Sequence, residues 1–402
     1  MGNETTVGSF CPFTYGKGLP AGRRNTAGSI PVYGSNGIVG WHDEPYTKGP
    51  TVIIGRKGTV GAVHYSSTPC WPIDTTFFIE FSDPQDARFT YYLLKTLGLE
   101  HMNSDSAVPG LNRNAAHLRK IPLFEKTYRH AISNILGALD DKIELNRQMC
   151  KTLEDTAQAI FKSWFVDFDP VHAKAAGKQP EGLNPEIAAL FPDSFEDSEL
   201  GKIPKGWRVN GLDSLGTFLN GLALQKYPPL HDDSLPVVKI AQLRTNDTTN
   251  SDRASASIGL EYIVNDGDIL FSWSGSLECV IWFGGAGALN QHLFKVTSAK
   301  YSKWFLYMWI HRHLPEFRHI AAGKVTTMGH IQRHHLKDAK VLVPATDLLC
   351  NQDKIMEPLI DAIISRSLEN RKLAVLRDTL LPKLISGELR VKDAERIAGR
   401  SV

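Results

Sequence analysis

The sequence predicts a mixed α+β fold: two α/β domains separated by an antiparallel pair of long coiled-coil helices, arranged as a pseudo-twofold internal repeat. Three observations predict it. The order of apolar strands, glycine turns and amphipathic segments in the first half returns in the second. Two segments carry a sustained 3.5-residue apolar step. A chain of 402 residues also exceeds what one compact core comfortably holds.

The repeat can be followed element by element. Tyr15–Leu19 (YGKGL) answers to Asn220–Leu224 (NGLAL), and Ser29–Gly34 (SIPVYG) to Ser234–Lys239 (SLPVVK). Val52–Gly61 (VIIGRKGTVG) and Ile269–Glu278 (ILFSWSGSLE) each read as strand, glycine turn and further strand. Ile73–Phe81 parallels Leu289–Thr297; Phe89–Leu97 parallels Lys303–Leu314, each an amphipathic helix; His117–Phe124 parallels His335–Pro344. A long helix then closes each half.

In the first long helix Ile132, Leu136, Leu139, Ile143, Asn146, Cys150, Leu153, Ala157, Ile160 and Trp164 alternate steps of four and three. The second spans about Asn351 to Leu381, with Met356, Ile360, Ile363, Ser367, Asn370 and Ala374 in step and the stripe drifting to Leu373, Leu376 and Leu380. Pro382 is expected to end it. A helix of ~33 residues at ~1.5 Å per residue is roughly 50 Å long. Asn146 and Asn370 fall in equivalent seam positions, where an amide fixes register at some cost in stability; a tolerated polar residue at the rim is the plainer alternative. Between the halves, Asp167 to Gly206 loses the periodicity and carries Pro170, Pro180, Pro185, Pro192 and Pro204, reading as a connector.

Composition bounds the functional classes. Apolar content of 42% and charged content of 22% are those of a folded globular chain. No apolar run is long enough to span a membrane, and the first residues lack a secretory pattern. Five scattered cysteines without a C-x-x-C pair suit free thiols in a reducing cytoplasm. The net charge of +2 decides nothing about nucleic acid, because local patches do.

Several motifs need weighing. Gly55–Gly61 (GRKGTVG) fits neither phosphate-loop pattern and reads as a hairpin turn with Arg56 and Lys57 at its tip. Phe283–Gly287 (FGGAG) fits a methyltransferase cofactor loop, but the next segment reads as a strand where a helix amino end is required, and no D-P-P-[YF] or N-P-P-[YF] follows. His311, His313, His319, His330, His334 and His335 crowd one window, yet no cysteine or acidic partner recurs at ligand spacing, so no metal site is assigned. No catalytic set stands out either.

That window instead supplies Lys324, Thr326, Thr327, His330, Gln332 and Arg333, residue types suited to phosphates and base edges. Asn112, Arg113 and Asn114 occupy the matching slot of the first half. Tyr33, Ser35 and Asn36 sit at a turn, and Lys239, Trp273 and Ser274 fall in second-half segments matched to that turn and to Arg56–Lys57. For each of these the structural alternative, an ordinary turn or solvated helix face, stays open.

The phrases Ala138–Gln148 (ALDDKIELNRQ), Ala159–Gly177 (AIFKSWFVDFDPVHAKAAG), Lys205–Gly216 (KGWRVNGLDSLG), Leu380–Val391 (LLPKLISGELRV) and Ile30–Gly40 (IPVYGSNGIVG) resemble the specificity subunit of type I restriction-modification enzymes. The match in order covers nearly the whole chain; one departure is the short NETTVGSFC opening, without the tryptophan of GWRVNGLDSLG. The resemblance implies target recognition domains at 1–127 and 207–346, a central spacer helix at 128–166, a linker at 167–206, and a C-terminal spacer helix and tail at 347–402. It implies a non-catalytic, cytoplasmic subunit that binds double-stranded DNA at a bipartite, asymmetric site. Two modification subunits would carry S-adenosylmethionine, and restriction subunits would add ATP and Mg; no cofactor is expected on this chain. The rival expectations are a self-contained methyltransferase or nuclease, and a coiled-coil scaffold for proteins.

Overall fold

Continuous apolar runs such as Thr51–Gly55 and Ile269–Ser272 have no polar face to give to water, so each becomes a strand buried on both sides. A computed structural model, describing residues 4–102, 110–229, 233–323 and 329–399, places both runs inside four-stranded antiparallel sheets. The chain divides into two units, Met1–Glu144 with Lys372–Val402, and Leu145–Arg371.

In the first unit that sheet runs Thr14–Tyr15, Thr76–Glu80, Thr51–Gly55, Val63–Ser66. A three-stranded sheet runs Gly37–His42, Ile30–Gly34, Trp71–Pro72, its last pair parallel. Glu4–Thr6 pairs antiparallel with Lys120–Pro122. The helix Pro84–Lys95 starts where Asp83 accepts from the Gln85 amide and proline fills the first turn. Phe89, Leu93 and Leu94 of that helix join Val52, Ile54 and Phe77 in one core.

The second unit repeats this plan. Its four-stranded sheet runs Thr217–Asn220, Leu293–Thr297, Ile269–Ser272, Cys279–Ile281, and Arg208–Gly211 pairs with Lys340–Val343. The other sheet runs Arg253–Ser255, Ser234–Val238, Gly287–Leu289, Ile263–Val264, again with one parallel pair, and the last strand is an addition. Lys303–Ala322 is the longer counterpart of Pro84–Lys95, at 20 residues against 12. It buries Trp304, Phe305 and Trp309 in the second unit's core.

Single hydrogen bonds repeat as well as strands. The Val7 amide donates to Arg119 O at 2.9 Å and the Leu212 amide to Ala339 O at 2.8 Å. Gly16 N donates to Thr76 O and Gly221 N to Leu293 O, both at 3.0 Å. Both positions exclude a side chain: an added Cβ would lie 2.1 Å from Ile73 O and 2.3 Å from Asn290 O. These bonds also correct the expected alignment. Thr76 corresponds to Leu293, one residue from the sequence match. Lys120 corresponds to Lys340, two residues from it, because both pair with the unit's first strand at Thr6 and Gly211. The first strand, short in sequence, is present as Glu4–Thr6.

The two long helices are Lys126–Phe165 and Thr346–Ser386. The second therefore starts before the expected Asn351 and does not stop at Pro382. Losing one backbone donor is outweighed there by Leu380, Leu381, Leu384 and Ile385, all buried in the first unit's core. The expected connector is also packed rather than loose. Asp169–Ala175 and Pro185–Leu190 are helices, Phe195–Ser198 and Gly201–Pro204 a hairpin, and Val171, Phe191 and Ile203 enter the second core. The end of the chain adds a helix, Val391–Ala398, which buries Ala394 and Ala398.

Within each unit the helices pair antiparallel. In the first, Tyr128 Oη donates to Leu384 O at 3.2 Å and Arg377 to Asp140 at 2.6 Å, around buried Ile132, Leu136, Leu139, Ile143 and Leu380 with half-buried Leu376. In the second, Asn146 is fully buried and donates to Glu369 at 2.8 Å and to the Asn370 amide oxygen at 3.0 Å, while accepting from Arg366 at 3.2 Å. Leu153, Ile160 and Ile363 are half-buried, and Ile360 is buried.

Asn146→Ala removes the amide that bonds Glu369, Asn370 and Arg366 at once. Arg366 and Glu369 are about a third exposed, 33% and 36%, so water recovers part of the loss. We expect a cost of about 1–2 kcal/mol. Urea unfolding followed by tryptophan fluorescence reads it, since Trp164, Trp207, Trp273, Trp282, Trp304 and Trp309 all lie in the second unit. An unchanged midpoint would mean the amide network contributes nothing.

Candidate nucleic-acid interface

In each unit the buried central strand ends in a glycine turn, and a distant segment is laid across that turn. Lys57 bridges Gly110, and Leu111 N donates to Arg56 O at 2.9 Å. Ser274 bridges His330, and Ile331 N donates to Trp273 O at the same 2.9 Å. Each crossing segment then starts a short helix, Arg113–His117 or Arg333–Asp338. Asn112 caps the first through its side-chain oxygen, accepting from Ala115 N at 3.1 Å. At the second, Gln332 N donates to His335 Nδ1 at 2.9 Å. The loop candidates Arg56, Lys57, Asn112, Arg113 and Asn114 thus come together in the first unit; His330, Gln332 and Arg333 meet Trp273 and Ser274 in the second. Lys324, Thr326 and Thr327 lie outside the described residues.

The frames match and the side chains differ. Arg56 donates through Nε and Nη2 to Asp74 O, at 3.1 and 2.6 Å, and lies 5.4 Å from the Tyr15 ring. Its counterpart Trp273 sends Nε1 to Gln291 O at 3.2 Å and to Asn220 Oδ1 at 2.8 Å. Arg113 lies 4.9 Å from the Tyr15 ring; Arg333 lies 5.5 Å from the Phe294 ring and donates to Phe218 O at 3.3 Å.

Four candidates are corrected. Tyr33 and Ser35 are buried, at 9% and 7% exposure, because they lie on the interior stretch entering the turn. Burial pushes the Tyr33 phenol pKa up, and Ser35 Oγ donates to Thr75 O at 2.6 Å. Ser274 is 2% exposed and hydrogen-bonds His292 Nδ1 at 3.0 Å. Trp273 is half-buried with its one donor spent internally. These four hold the loops in shape. Asn36, Lys57, Asn112, Asn114, Gln332 and Arg333 are exposed. Lys239 is exposed too, but its ammonium pairs with Asp252.

Sequence reasoning missed Tyr15, whose 48% exposed ring carries both arginines. An aromatic opening a glycine-bearing segment, as Tyr15 opens YGKGL, is too common a pattern to single out.

The remaining motifs resolve by geometry. Asp266 Oδ1 accepts from Gly285 N at 2.7 Å, and FGGAG runs into the strand Gly287–Leu289 instead of opening a helix whose amino end could face a cofactor. His311 Nε2 meets Cys279 O at 3.1 Å and His313 Nε2 meets Lys340 O at 2.9 Å, and burial holds both imidazoles below their ordinary pKa. One group not foreseen from sequence is Asp83, Asp86 and His130, whose ligand atoms lie within 4.8 Å of one another. Lys126 already sits 3.3 Å from Asp83 and Arg129 3.2 Å from Asp86, so the cluster reads as a charge network between two helices.

Comparison with known proteins agrees with this geometry. Residues 3–155 match the family described as type I restriction modification DNA specificity domain. The type I restriction enzyme HindI specificity subunit of Haemophilus influenzae is 28% identical over 312 residues, 66% of this chain and 68% of that protein. The MjaIX specificity subunit of Methanocaldococcus jannaschii is 26% identical over 359 residues, 85% of this chain and 78% of that one. In fold, the chain is similar to the crystal structure of the type I restriction-modification S subunit from M. genitalium, with a TM-score of 0.58 at 15% identity over 95% of each chain. Matched repeat and paired long helices accord with these relatives: the chain is similar to the specificity subunits of type I restriction-modification systems, and its residues 3–155 match their specificity domain.

Proposed function

We propose that this chain reads a bipartite, asymmetric DNA site, one half per unit, and positions partner subunits that do the chemistry. The observation that carries the reading is the pair of crossing loops: the same backbone bonds hold both, at Leu111–Arg56 and Ile331–Trp273, yet they present different side chains. Two like frames dock two like partners, and unlike loops read unlike bases. Two modification subunits supply S-adenosylmethionine and methyl transfer; restriction subunits supply ATP- and Mg-dependent steps. The chain itself catalyses nothing and works in the cytoplasm, where its DNA is. Among the described residues no helix is long and apolar enough to cross a membrane.

The test is a methyl-transfer assay with the chain alone, the modification subunit alone, and both together. Only the mixture is expected to methylate DNA, and binding is expected to weaken steeply as salt rises, since phosphate contacts release counterions. Transfer by the chain alone would establish the self-contained enzyme instead. A stable complex with no affinity for DNA would establish the scaffold.

A further inference from the structure

Arg113 and Arg333 hold the same place in the two units, each the first residue of the short helix after a crossing segment. Their surroundings differ in one respect. Arg333 donates to Phe218 O, whereas Arg113 has no hydrogen-bond or ion-pair partner among the described residues. Its Nε is buried and unsatisfied, and among the described residues its guanidinium is supported by the Tyr15 ring, 4.9 Å away. That ring is itself fixed, edge-on to Phe77 at 5.0 Å and flanked by Arg56, which is tied to Asp74 O.

A half-buried arginine with a restrained plane is poorly suited to a passing phosphate, which accepts a flexible cation from many directions. It suits a planar acceptor pair at fixed spacing. We propose that Arg113 is a base-reading residue of the first unit, its guanidinium fork taking the O6 and N7 acceptors of one guanine in the major groove. Tyr15 and Arg56 are its positioning residues. The inference rests on the DNA-reading function above and adds which base class one half-site must contain.

The test is methylome sequencing of cells carrying the chain with its modification subunit, for wild type, Arg113→Gln and Arg113→Lys. The lysine variant keeps the charge and loses the fork, so it decides the matter if the glutamine variant fails to fold by thermal melting. The expected result is that one guanine in one half-site becomes degenerate, with discrimination falling about ten-fold or more, while the other half-site is unchanged. A fully methylating lysine variant with an unaltered motif would overturn the inference and leave the DNA-reading function standing. Equal weakening on all sequences, with a flatter salt dependence, would overturn it too, marking a phosphate contact. A wild type without any two-part motif would sink the function on which it rests.

Discussion

Exchanging Met1–Phe124 for the same region of a relative that reads a different sequence changes one half of the methylated site and leaves the other half and the gap as they were. The expectation follows from where the cores lie. Val52, Ile54, Phe77, Phe89 and Leu93 form a core with the helix residues Ile132, Leu136, Leu373 and Leu380, all in the first unit. The crossing loop of the second unit draws on its own core, with Phe271, Phe294 and Ile331. The exchanged segment must still fit the retained helix surface, where Tyr92 donates to Asp140 at 2.5 Å and Arg88 pairs with Asp141. A donor with tyrosine and arginine at those places keeps both pairings. Each lost base pair contact is worth about 1–3 kcal/mol, so a half-site of several bases should lose methylation by roughly three orders of magnitude. Methylome sequencing of the chimaera reads this directly. Coordinated change in both halves would show that the units do not read separately.

The architecture was legible because its signals are local and periodic. The alternation of Ile132, Leu136, Leu139 and Ile143 specifies a seam without reference to the rest of the chain. Strands like Thr51–Gly55 announce themselves as apolar runs closed by glycine. What escaped depended on partners far away in sequence. Ser35 and Ser274 look like free hydroxyls until Thr75 O and His292 are placed beside them. Trp273 resembles an exposed stacking residue until Asn220 and Gln291 take its only donor. Pro382 reads as a stop because the rule is local, and it is overridden by the burial of Leu384 and Ile385 beyond it. The same limit separates the candidates. Polarity selected Arg113 and Arg333 alike, but only the distance from Arg333 to Phe218 O reveals that one of them is already engaged.

Lengthening both long helices by four residues, between Glu144 and Leu145 and between Arg371 and Lys372, should widen the unread gap by about two base pairs without altering either half-site. The insertion points spare the pairings on either side: Tyr128 with Leu384 and Asp140 with Arg377 in the first unit, Asn146 with Asn370 in the second. Four residues add ~6 Å of rise and ~1.1 turns, which returns the apolar stripe to within ~40° of its face. Two residues would turn the stripe to the far side and expose it. At ~3.4 Å per base pair, 6 Å corresponds to slightly under two steps of B-DNA. Extending the first helix alone would demand the same displacement while pulling Asn146 away from Glu369 and Asn370, so the matched pair of insertions isolates length from register. If methylation moved to different bases at the original gap, the helices could not be what sets the spacing.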